Sequence, residues 1–219
     1  MPTFELVERA SQMNSYLLFI SLLSLTFVAY ARIGTPDAIA LSWKRFWKMS
    51  RTESFGFDDD KIRPETQTLL LTNFFIAFSL SVYLFMRSYY PKEQAALLAL
   101  VLVVIYILFQ MLNFRIALLI TDQWKLATQL ADINKQIWSF TGLIYLSLTF
   151  MWLINGEAHF ALRSIFLVVM FAAYAWRQVK AWRACRQANL EWYYLILYLC
   201  ALEIVPVLFV WHWFSGEYN

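Results

Sequence analysis

The 219-residue chain is 61% apolar and 19% aromatic, with 15% charged residues and a net charge of +3, where a soluble domain carries about 25% charged residues. The apolar excess lies in long uninterrupted runs, the pattern of membrane spans, and five Gly and five Pro exclude a collagen-like or low-complexity chain. The expected partner is therefore the lipid bilayer, and no nucleic acid is expected from so small a net charge.

The first apolar run occupies 15–31. Ala29-Tyr30-Ala31 resembles a signal-peptidase site, but Glu5 and Glu8 stand against Arg9 alone, so the basic leader is missing and an uncleaved first span is expected. Between 37 and 49, Ile39, Trp43, Phe46 and Trp47 recur at helical spacing and are flanked by Lys44, Arg45 and Lys48. Pro36-Asp37 is a suitable helix start. Aromatic and basic faces on one short helix suit it to lie on an anionic membrane surface, and the same face could dock another protein. Asp58-Asp59-Asp60 follows and reads as an exposed acidic turn, because no second acidic cluster or Gly-rich phosphate cradle accompanies it.

Further spans are expected over 66–86, 94–120, 137–154, 158–176 and 192–214. Each is close to the length that crosses a hydrocarbon core of about 30 Å as a helix. The stretch 122–136 also has helical spacing and should extend a neighbouring span beyond the membrane. The fold class is thus all-α, one integral membrane domain over 1–219 with about six transmembrane helices and a surface helix. Lys and Arg number thirteen in the loops after the first, third and fifth spans and four on the other side. That bias places the richer loops in the cytoplasm and both termini outside.

Polar residues inside the spans are few: Asn73 in the second, Gln110, Asn113 and Arg115 in the third, and Glu203 in the sixth. Trp192 and Trp213 bracket Glu203, which places its carboxyl ~15 Å from either interface. A carboxylate at that depth is costly and needs a partner. Gln110 is level with it, and Arg115 can extend towards it or snorkel to water. Pro206 frees the carbonyl of Leu202 and favours a kink beside the carboxyl. Helix packing, a proton or cation relay, and contact with a partner subunit are the three roles open to Glu203. His159 and His212 lack further ligands at metal spacing, so no metal or cofactor is expected. No serine-elbow, Walker or His-Glu-x-x-His pattern occurs, and no enzyme is expected.

In the last span, Ile196, Leu197, Tyr198, Cys200, Glu203, Ile204 and Pro206 form a string that resembles the C-terminal signature of the domain of unknown function 4271 family. The resemblance implies a multi-span protein of the inner membrane of a diderm bacterium, in the Bacteroidota, with periplasmic termini. It implies no activity and carries no catalytic residues. The function expected is a non-enzymatic subunit or assembly factor of an inner-membrane complex, with protein export or membrane insertion the process considered, and other inner-membrane proteins as partners. The alternative is a small transporter or proton-coupled protein centred on Glu203.

Overall fold

A computed structural model describes residues 11–47, 62–121, 124–154 and 159–187. They form six helices: α1 (Ser11–Gly34), α2 (Ala38–Trp47), α3 (Pro64–Met86), α4 (Lys92–Thr121), α5 (Trp124–Ile154) and α6 (His159–Gln187). All of these except α2 contain a stretch long and apolar enough to cross a membrane, five stretches among the described residues. The expected span 192–214 lies outside the described residues. Of the helical stretch expected over 122–136, residues 124–136 are the first part of α5, which runs on without a break to Ile154, and 122–123 lie outside the described residues.

The contacts fall into two compact units, residues 1–104 with 135–174 and residues 105–134 with 175–219. Helices α4, α5 and α6 contribute to both. The first unit is built inside out relative to a soluble bundle. On α1 the buried residues are Leu17, Ser21, Ser24, Val28 and Ala31, spaced by alternating steps of four and three, while Leu18, Phe19, Leu22 and Leu25 are exposed. A 4-3 alternation marks one packing seam of a helix. Small and hydroxyl residues in the seam, with large apolar ones outside, let helices approach closely and leave the outer face to lipid.

That seam meets α3. Pro64 opens α3, where its missing N–H has no intrahelical acceptor to lose. Thr35, one residue past α1, hydrogen-bonds Thr66 near the start of α3 (3.1 Å), and Ser24 Oγ donates to Asn73 Oδ1 (2.8 Å). The pairings run in opposite directions, so α1 and α3 are antiparallel. Helix α5 packs on α3 in parallel: Gly142 lies against Phe74, and seven residues further on in both helices Ser81 meets Thr149 (3.0 Å). Thr149 already donates to the Tyr145 carbonyl (2.8 Å), so Ser81 is the donor of that pair. Phe74 stacks on Trp138 and Phe78 with ring planes 9° apart, and Tyr145 extends the aromatic cluster to Phe166 of α6.

Helix α2 follows α1 after a turn closed by the Ala38 N–H on the Thr35 carbonyl (2.9 Å). Its inner face is Ala38, Ser42 and Phe46, all buried. Phe46 packs on Phe140 of α5 with centroids 4.5 Å apart, and Trp43 reaches the same ring at 5.1 Å. The apolar residues expected on a single face are therefore divided: Phe46 points inward, while Ile39, Trp43 and Trp47 remain about half exposed. A ten-residue helix has little stability of its own, and the Phe140 contact supplies what α2 lacks.

In the second unit, Leu126, Ala184 and Cys185 form a buried cluster with Leu130 and Ile133 packed on it. Here α5 and α6 run antiparallel.

A Cβ on Gly142 would fall 2.8 Å from the Phe74 Cα. Backbone cannot yield as a side-chain tip can, so Gly142→Ala is expected to destabilise the bundle by about 1–3 kcal/mol. Ser24→Ala removes one interhelical hydrogen bond, a loss of about 0.6 kcal/mol. Thermal unfolding in detergent should rank them in that order, and equal melting shifts would contradict the close approach of α3 and α5.

Candidate functional site

Glu203 and Pro206 lie outside the described residues, as do Lys48 and the acidic run 58–60. The remaining expected site residues separate into three places. Asn73 is fully buried in the first unit. Its carbonyl oxygen accepts from Ser24, and its amide nitrogen, which makes no hydrogen bond, would lie 3.1 Å from a Cβ at Gly142. Asn73 thus joins α1 to α3 at the level where α5 comes closest. Its surroundings are those of a packing residue, with one orphaned donor left on the α5 side.

The second place is the aromatic helix α2. Below it, Ser42, Arg45, Ile62, Gln67, Gln136 and Ser139 line a pocket with a cavity volume of about 10 Å³. That is room for one water molecule, and the polar lining could satisfy it. Lys44 is exposed on the outer side beside Trp43 and Trp47, and the two Trp rings meet edge to face at 5.7 Å.

The third place belongs to the second unit and uses Gln110. Asn134 of α5 connects two other helices. Its Oδ1 accepts from Arg177 Nε of α6 at 2.6 Å, and its Nδ2 donates towards Gln110 Oε1 of α4 at 3.5 Å. The Arg177 bond fixes which way the amide points, because the guanidinium can only donate. A hydrogen bond to a charged group contributes about 1.5–3 kcal/mol, so the short contact dominates and the long one is secondary. Arg177 is 7% exposed and Lys180, one turn on, is 4% exposed. On the same stretch of α6, both polar atoms of the Gln178 amide are enclosed without a hydrogen bond.

Arg115 is exposed on α4, and the side chain of Asn113 is outside those described. Gln110 is therefore the member of the third-span set for which a polar partner is seen. Asn134 and Arg177 were not singled out by sequence reasoning. Asn134 looked like part of a soluble helical extension, and Arg177 counted as a loop cation. The signal was available in the helical phase: Arg177 and Lys180 are three apart and Ala184 four further on, one face of a helix that continues past the apolar run. Among the described residues no group of His, Cys, Asp or Glu is placed to hold a metal ion.

The sequence matches the family described as domain of unknown function (DUF4271) over residues 15–214. The chain belongs to that family. The match extends from the first span to the last, well beyond the C-terminal string that carries the resemblance. No curated protein and no solved structure matches the chain.

The Asn134–Arg177 contact is open to a double-mutant cycle. Asn134→Leu and Arg177→Met should each lower the melting temperature in detergent, and the double variant should lose less than the sum, with a coupling of about 1–3 kcal/mol. Strict additivity would mean that the bond does not operate in the folded protein.

Proposed function

We propose that this protein is a non-enzymatic subunit or assembly factor of a bacterial inner-membrane complex. One observation carries the reading: among the described residues, polar side chains on facing helices close onto one another, as in Ser24–Asn73, Ser81–Thr149 and Arg177–Asn134. A conduit needs polar groups that face water or substrate. Bonds of this closed kind fix helix positions, which is what a scaffold requires. The half-exposed Trp43 and Trp47 on α2 support the same reading, since aromatic residues are enriched at protein interfaces.

The distribution of Lys and Arg supports a topology with α2, the Trp124 end of α5 and the Gln187 end of α6 on the cytoplasmic side and both termini in the periplasm. On this reading the partner is another inner-membrane protein, and membrane insertion or export is the process in view. The runner-up, a proton-coupled transporter centred on Glu203, keeps its motive in the depth of that carboxyl.

The test is affinity purification of the full chain from native membranes in mild detergent, with mass spectrometry of what co-purifies. A stoichiometric partner is expected, and Trp43→Ala with Trp47→Ala should weaken its retention several-fold. Recovery of the chain alone would overturn the proposal and shift attention to Glu203→Gln in a transport assay.

A further inference from the structure

Helix α6 passes the end of its apolar stretch, near Trp176, and continues for three further turns to Gln187. Within the second unit, Ala175, Val179, Trp182, Arg183 and Arg186 follow one another at steps of three or four residues, with Trp182 and Arg183 side by side, and all are exposed. They form one face of the helix. The opposite side of the same stretch is the buried one, with Arg177, Lys180 and Ala184. The arginines of this stretch thus divide into a buried one, Arg177, and an exposed pair, Arg183 and Arg186, beside an exposed tryptophan.

Depth decides what the outer pair can meet. At 1.5 Å per residue, Trp182 lies ~9 Å, Arg183 ~11 Å and Arg186 ~15 Å beyond Trp176. The headgroup layer is about 5–8 Å thick on each side, so the backbone at Arg186 lies beyond it. Helical side chains, however, lean towards the N-terminus of their helix. Arg186 does so here: its guanidinium carbon sits over the Trp182 ring, 6.0 Å from the centroid. The contact brings the charge back by about one turn, towards the end of the apolar stretch. Tryptophan is at home in that layer, and arginine binds phosphate with a planar fork of donors.

We propose that Val179, Trp182, Arg183 and Arg186 form a binding site for the headgroup of an anionic phospholipid. Its phosphate lies between the two guanidinium groups, the Trp182 ring holds Arg186 in place, and Val179 and Ala175 receive the first carbons of the acyl chains. A lipid is the occupant because the face is continuous with a membrane-spanning apolar stretch and its charge is opposite to that of the headgroup. Arginine near a helix C-terminus also favours the helix dipole, but that effect acts on stability and does not discriminate between lipids.

The discriminating experiment is native mass spectrometry of the full-length protein in detergent with equal amounts of phosphatidylglycerol and phosphatidylcholine. The wild type is expected to retain phosphatidylglycerol at least fivefold over phosphatidylcholine, and the preference should fall with ionic strength. Arg183→Gln with Arg186→Gln should reduce the preference below twofold at an unchanged melting temperature. Arg183→Lys with Arg186→Lys should retain part of it. Should the glutamine pair fail to fold, each single glutamine variant is expected to halve the preference. An absent preference in the wild type, or an undiminished one in the glutamine variants that fold, would overturn the proposal.

Discussion

Asn73 stands where α1 and α3 are bonded and α5 approaches most closely, and the geometry of the first unit follows from that point. Ser24 satisfies its carbonyl. The missing side chain of Gly142 leaves room for the Phe74 backbone and the Asn73 amide. In lipid the hydrophobic effect gives helices little reason to associate, so close packing and interhelical hydrogen bonds must hold them. Each bond is weak alone. The Ser81–Thr149 pair repeats the α3–α5 contact one heptad later, so the register of two parallel helices is defined at two points rather than one.

The second unit solves a different problem. Its helices carry cations that an apolar surround would reject. Arg177 enters the helix contact because Asn134 offers an oxygen at 2.6 Å, and about two turns away along the same helices Leu126, Ala184 and Cys185 form a buried apolar cluster. The chain therefore uses small hydroxyl and amide residues where its helices are apolar, and an amide–guanidinium bond where they are not. Both devices position helices.

Much of the architecture was legible from composition and run length, because the requirement that a buried backbone satisfy itself leaves helices as the only reading of these apolar runs. The helices over 38–47 and 124–136 were legible from the spacing of their apolar residues. What could not be read was which side of a helix meets which neighbour. In lipid both faces are apolar, so hydrophobic pattern does not distinguish them. Phe46 and Trp43 belong to one aromatic pattern but differ in burial, because only Phe46 falls in phase with Ala38 and Ser42. Arg177 was hidden by a different cause. Counting charges for orientation treats every cation beyond a span as solvated, and this one is bonded inside.

The Thr35–Thr66 hydrogen bond has a consequence for how such a chain can change over evolution. It brings together the two ends of a segment of thirty residues, 36–65, just where α1 and α3 emerge from their shared seam. Once the ends of a loop are pinned, the entropy of closing it rises only with the logarithm of its length, about 0.6 kcal/mol for each doubling. By closure entropy alone, then, a change in the length of this segment would cost the bundle little. A relative with a longer or shorter segment could keep the register of α1 on α3 so long as the two threonines stay paired.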